Sequence, residues 1–189
     1  MKTANKIFTS TDLDGKDFDD AVFESCKFVS DIKFTNFNGC KFIDCDLSEA
    51  LFNITSFTNC SFSGSKLSNI DFSDIRIKDC NFSGAVMENC IFQKILVKNE
   101  VKKLDLRGCI FDNTDLKNSA FIFSNLEKVN FDGSDLTSVV FERCNLKEAS
   151  LNRCKIDGTG FENCNIDNTV LDISGFISYG NSKGFIISN

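Results

Sequence analysis

The chain has 189 residues with 21 basic and 27 acidic side chains, and its formal net charge of −6 is the wrong sign for holding nucleic acid by phosphate neutralisation. It has no His, Pro or Trp but 21 Phe, so the commonest acid–base group and metal ligand is missing and no Ser-His or Cys-His pair can form. No apolar run approaches the roughly 20 residues of a membrane span, and Met1 to Phe8 lacks a signal peptide's continuous apolar core. The expected location is therefore the cytoplasm, with no membrane contact and no direct nucleic-acid binding.

The chain reads as one domain. Residues 1–7 form a short N-terminal cap. Across residues 8–172 a large apolar residue, the centre of each unit, recurs every five positions, from Phe8 through Leu13, Phe18 and Phe23 to Phe28. The next centre is Ile32, one residue early, and the series resumes through Phe37, Phe42, Leu47 and Phe52 to Phe92 and Val97. A second shortening by one residue, near Lys98 to Val101, makes Val101 the next centre; the series then runs from Leu106 and Phe111 to Leu171. Lys98-Asn99-Glu100-Val101-Lys102-Lys103 is the most charged stretch and is a candidate bulge.

A five-residue period fits neither the 3.6 of a helix nor the 2.0 of a strand. It fits a solenoid whose wall turns a corner after every unit, four units closing a coil of about 20 residues. All ten cysteines (Cys26, Cys40, Cys45, Cys60, Cys80, Cys90, Cys109, Cys144, Cys154 and Cys164) lie two positions before a centre. They read as small core residues, not as a disulfide framework, a metal site or a redox site, since parallel thiols on one wall cannot surround a tetrahedral metal. Glycines such as Gly64 and Gly84 fall two positions after a centre, at the corners. With both shortenings accepted, one column of centres reads Phe23, Phe42, Phe62, Phe82, Val101, Phe121, Phe141, Phe161, and another is mostly Leu.

Units such as Ser134-Asp135-Leu136-Thr137-Ser138 and Cys144-Asn145-Leu146-Lys147-Glu148 resemble those of the pentapeptide-repeat proteins, over roughly residues 6–176. The resemblance implies an all-β fold, a right-handed quadrilateral parallel β-helix of about nine coils. At roughly 4.8 Å per coil this is a rod about 40 Å long. With two deletions and no long insertion, the chain reads as a loop-free member of the family.

The C-terminal segment, residues 173–189, leaves the repeat and is apolar. It is either a lid on the last coil or a homodimer contact through Phe176, Ile177, Tyr179, Phe185, Ile186 and Ile187; relatives that dimerise through a C-terminal element favour the second.

No nucleotide-binding loop and no cleft that could tune a carboxylate's pKa is legible, so an enzyme or a cofactor is not expected. What the rod offers is surface. In this registration Asp12, Asp14, Asp31, Asp71, Asp74, Asp112, Asp132 and Asp172 share one wall with Lys33, Lys94 and Arg153, a net −5. The family resemblance, to members of the Qnr and MfpA type, implies an acidic DNA mimic acting on DNA gyrase or another type II topoisomerase, in protection from quinolones or toxins. Duplex DNA carries one charge per roughly 1.7 Å, about 24 over such a rod, so the mimicry would be partial. The alternative is a general protein-interaction scaffold or regulator, for which outward Phe34, Leu51, Ile54, Ile110, Ile122, Phe123 and Val140 provide apolar contact points.

Overall fold

The five-residue spacing builds a β-solenoid of about eight turns in the computed structural model, which describes residues 1–94, 103–186 and 188. Each unit puts two side chains inward, the small residue and the centre. The residue after the next outward position takes a left-handed backbone at the corner, with Gly64 at φ +66° and Asn118 at +57°. Strand pairings are parallel throughout, and equivalent residues lie 20 apart, as in Phe8↔Phe28 and Phe121↔Phe141. Four units per coil define four walls, here called A to D in chain order, starting with Phe8 on wall A, Leu13 on B, Phe18 on C and Phe23 on D.

The first shortening is present. Phe18 pairs with Phe37 and Phe23 with Phe42, 19 residues on, and the register shifts between Lys27 and Val29, so that Val29↔Glu49 and Ile32↔Phe52 are again 20 apart. Lys27–Lys33 and Asp46–Asn53 run as continuous strands past the corner between walls A and B, with Ser30 left-handed at φ 81°.

The second irregularity is not a shortening. Asn81 bridges Ile110, Val86 bridges Asp115 and Ile91 pairs with Ala120, all 29 residues on. Relative to a 20-residue coil this is an excess of nine residues, placed between Phe92 and Leu104, so the loop-free reading fails here. The centres assigned to Val97 and Val101 and the charged stretch from Lys98 to Lys102 lie outside the described residues. The sequence reading misplaced everything after this point by two units, half a coil. Phe82 stacks on Phe111 at 5.0 Å, and Phe121 stacks on Phe92 at 4.4 Å.

In the correct register two phenylalanine ladders line opposite walls. Wall D carries Phe23, Phe42, Phe62, Phe82, Phe111 and Phe131 with ring centroids 4.8–5.3 Å apart. Wall B carries Phe72, Phe92, Phe121, Phe141 and Phe161 at 4.4–5.4 Å. The two ladders meet edge to face, as between Phe92 and Phe111 at 5.8 Å, a geometry that suits the aromatic quadrupole.

The cysteines occupy the small inward position, and all but Cys164 are buried free thiols. The thiols reach backbone carbonyls: Cys80 Sγ donates to the Phe57 and Lys78 carbonyls at 3.4 and 3.5 Å. Ser65, at the same position of another unit, donates to the Phe42 carbonyl at 3.1 Å. Cys, Ser and Thr are thus interchangeable solutions to one problem, a small side chain that tethers two coils. Burial pushes the Cys90 thiol up to about 12 and the Cys109 thiol to about 11, so both stay protonated at neutral pH.

The C-terminal helix, Ile173–Ser182, closes the last coil. Asp172 caps it, accepting from the Gly175 amide at 2.7 Å, and the only Tyr, Tyr179, packs on Phe161 with centroids 5.5 Å apart. No helix among the described residues is long and apolar enough to cross a membrane.

Candidate functional site

Two features stand out on the walls: the outward side chains of wall B, and a rift between coils on walls B and C. The expected acidic wall divides. Asp12, Asp14, Asp31, Asp71 and Asp74 belong to wall B, flanking centres Leu13, Ile32 and Phe72. Asp112, Asp132 and Asp172 flank Phe111, Phe131 and Leu171, which the 29-residue register puts on wall D, opposite. The half-coil displacement had merged the two.

Several of these carboxylates already have partners. Asp12 accepts from Lys6 Nζ at 2.7 Å and from the Thr9 amide at 3.0 Å, which hold it down at about 2. Asp31 pairs with Lys33 at 2.8 Å, which lowers it. Asp14 accepts from the Lys33 amide at 2.9 Å, and Asp71 from the Ser73 amide at 2.9 Å. On wall D, Asp112 takes the Ser83 hydroxyl, and Asp132 accepts from the Asn152 amide at 3.0 Å. Asp172, lowered by the Gly175 and Arg153 amides, completes that column.

The lower half of wall B also exposes apolar side chains. Phe34, Leu51 and Ile54 are 59%, 67% and 63% accessible. Phe34 and Ile54 stand at corners with φ of 53° and 49°, and for bulky or β-branched residues that conformation is an outlier. Val140 and Ile110 are exposed on walls B and D of the upper coils, and Phe123 is half-buried, also left-handed at φ 49°.

The rift begins beside this patch. A hollow of about 240 Å³ separates Leu51, Phe52 and Asn53 from Asp71 and Asp74 on wall B. Around the corner, on wall C, a cleft of about 960 Å³ lies between Ile75–Asp79 and Leu104–Gly108, with Ile54, Lys94 and Lys103 at its mouth. In the coils on either side the small position on wall C holds Thr35, Thr55, Ser124, Cys144 or Cys164. At the cleft it holds Ile75 and Leu104, both buried. Sequence reasoning passed over this pair, although two large residues in a small-residue column are a legible signal once the register is known.

At the C-terminal end Phe176 and Ile186 are 70% and 93% accessible. Ile177 and Phe185 are exposed too, whereas Tyr179 is turned onto the coil; Ile187 lies outside the described residues. Among the described residues no group of three or more Cys, Asp or Glu is placed to hold a metal ion.

A four-walled coil of five-residue units defines a class, and the family comparison agrees with it. Residues 85–161 match the profile of a pentapeptide repeat region, and residues 30–69 and 55–93 match that of pentapeptide repeats in eight copies. Together they span more than half of the sequence, and the chain belongs to the pentapeptide repeat family. No curated protein matches it. Among solved structures, full-length QnrB1, a plasmid-mediated fluoroquinolone resistance protein, is similar at 18% identity, over 98% of this chain and 100% of that one, with a TM-score of 0.44. Trypsin-treated QnrB1 gives 18% identity over 100% and 99%, with a TM-score of 0.47. HetL, involved in heterocyst differentiation regulation in the cyanobacterium Nostoc sp., gives 12% identity over 90% and 87%, with a TM-score of 0.43.

Proposed function

We propose that the chain is a non-enzymatic binding protein that presents the lower half of wall B to a protein partner with a basic surface. The observation that carries this reading is the patch of Phe34, Leu51 and Ile54 bordered by Asp14, Asp31, Asp71 and Asp74. An apolar centre inside a charged rim is the anatomy of a protein interface. Keeping Phe34 and Ile54 left-handed costs about 1–2 kcal/mol each, where Gly or Asn would cost less. Bulky apolar residues at such corners are better explained by a contact than by solenoid stability.

The basic DNA-binding saddle of a type II topoisomerase is one such partner, a reading that rests on the family resemblance and on the net charge of −6. Carboxylates on the opposite walls B and D would meet both sides of a groove, as the two strands of a duplex do. The deciding experiment titrates the protein into a gyrase supercoiling assay at two salt concentrations, with and without a quinolone. Salt-sensitive inhibition, or rescue from the drug, that is lost in Asp71→Lys/Asp74→Lys supports the mimic. An effect abolished by Leu51→Asp but untouched by the charge reversal supports an apolar contact. No effect at all removes gyrase and leaves the scaffold reading, with its partner to be sought by wall B capture.

The exposed face of the C-terminal helix is proposed as a homodimer contact joining two rods end to end. Sedimentation equilibrium is expected to give a dimer that Phe176→Ser with Ile186→Ser converts to a monomer of unchanged circular dichroism; a monomeric parent protein would sink this contact.

A further inference from the structure

The ten cysteines share one position but not one environment. Nine are buried, and Cys164 alone is half-buried, in the last coil on wall C. Directly below it in the small-residue column stands Cys144. The two coils are held in parallel register by the Asn145↔Asn165 bridge, where Asn165 N–H donates to the Cys144 carbonyl at 2.9 Å. Both thiols lean the same way, Cys144 Sγ reaching the Phe121 carbonyl at 3.2 Å and Cys164 Sγ the Phe141 carbonyl at 3.3 Å. They also meet each other. The Cys144 thiol donates to the Cys164 sulfur, which favours the thiolate at Cys164 and holds that thiol below the usual range, while the same bond and burial push Cys144 up. Lys103 acts in the same sense at Cys164, and Glu162 against it. Stacked cysteines occur elsewhere, as at Cys26 and Cys45, but these two are 2% and 1% exposed, and burial pushes Cys45 up to about 11.

We infer that Cys164 and Cys144 are a redox-active dithiol, oxidised by a peroxide to a disulfide that staples the last coil to the one below. This departs from the packing role that the cysteines share as a set. The thiolate is the reacting form, and reaction also needs access; Cys164 has both, with Cys144 placed as its resolving thiol. In the first step the Cys164 sulfur attacks the peroxide. An S–O bond forms, the O–O bond breaks, and the departing oxygen takes a proton and leaves as water or an alcohol. The Cys144 sulfur then attacks the Cys164 sulfenic acid: the S–S bond forms, the S–O bond breaks, and the hydroxyl leaves as water with the Cys144 proton. The sulfur pair loses two electrons and the peroxide gains them; a dithiol reductant reverses the change. Coils stack roughly 4.8 Å apart and a disulfide sets its Cβ atoms about 3.8 Å apart, so closure requires a shift of about 1 Å. The last coil has that freedom. Its wall C centre, Ile166, is 57% exposed, and Phe161 and Leu171 are only partly buried, whereas Leu126 and Leu146 below are fully buried. The pair stands on a different wall from the apolar patch of wall B and does not depend on the function proposed for it.

The test uses the full chain, reduced and then exposed to hydrogen peroxide. Remaining thiols are alkylated in denaturant, and trypsin, which cuts between the pair at Lys147, Arg153 and Lys155, releases peptides for mass spectrometry. The expected product joins the Cys144 and Cys164 peptides within one chain, leaves the other eight cysteines alkylated, and disappears on treatment with dithiothreitol. In the folded, reduced protein iodoacetamide is expected to modify Cys164 at least about tenfold faster than any other cysteine. Cys144→Ser, which places in this column the residue already found at Ser124, is expected to accumulate a Cys164 sulfenic acid that dimedone traps. Cys164→Ser is expected to lose peroxide sensitivity, and Cys45→Ser to keep it. A disulfide that forms only between chains, oxidation spread evenly over the buried cysteines, or a Cys164 that peroxide leaves reduced would overturn the inference. Circular dichroism shows whether each variant keeps the fold; should one not, the peptide map of the unsubstituted chain decides.

Discussion

Phe92→Ala is expected to lower the free energy of unfolding by about 3–5 kcal/mol, the largest effect of any single truncation considered. Phe92 is fully buried, its ring lies 4.6 Å from Phe72 and 4.4 Å from Phe121, and Phe111 meets it edge-on. It sits immediately before the nine extra residues, so it joins the lower and upper parts of the wall B ladder across the 29-residue step. The coils there are rigid stacks on either side and have little freedom to collapse into the vacated space. Urea unfolding followed by far-ultraviolet circular dichroism provides the measurement. The comparison is Phe34→Ala, which removes an exposed ring and is expected to change stability by no more than about 0.5 kcal/mol. Similar losses for the two would mean that the ladder is not what holds the middle of the rod.

Ser119→Ala is expected to cost about 2–4 kcal/mol, since a buried group left without its partner costs roughly 1–3 kcal/mol and this change strands two. The Ser119 hydroxyl is fully buried; it donates to the Met87 carbonyl at 2.8 Å and accepts from the Cys90 amide at 2.9 Å. It thus serves the coil below twice, on the rung directly above the 29-residue step. Ser119→Cys should recover part of the loss, because a thiol can donate, weakly, from the same position that ten cysteines occupy elsewhere. Thermal melts of the three proteins under reducing conditions check this; an alanine variant as stable as the parent would show that water or a relaxed backbone satisfies both groups.

The five-residue period, the inward cysteines and the corner glycines were all legible in the sequence, because each is a local property of one unit. The register between units was legible only where the error had a chemical cost. At Ile32 a slip by one residue would have moved every side chain to the wrong face, and the shortening was found. Beyond Phe92 the alternatives differed by two whole units. Walls B and D are both lined by Phe in that region, and walls A and C both by Leu, Ile or Met, so exchanging opposite walls left each column looking correct. That one ambiguity carried Asp112, Asp132 and Asp172 onto the wrong wall and hid the nine extra residues. The cleft on wall C was not readable, since it follows from the 29-residue step that the sequence register hid, although Ile75 and Leu104, large residues at the small position, mark its two sides.

The step of 29 residues also bears on how such a chain can grow and diversify. Closing a loop costs roughly (3/2)RT times the logarithm of its length, so a coil of 29 residues in place of 20 adds only about 0.3 kcal/mol of closure entropy. That is less than one rung hydrogen bond contributes, and the parallel register resumes after it on walls D, A and B. Segments can therefore be grafted at the bends of a four-sided coil almost without thermodynamic consequence, while the same insertion within a wall would displace every side chain after it. A fold with this asymmetry gathers novelty at its edges and keeps its interior unchanged.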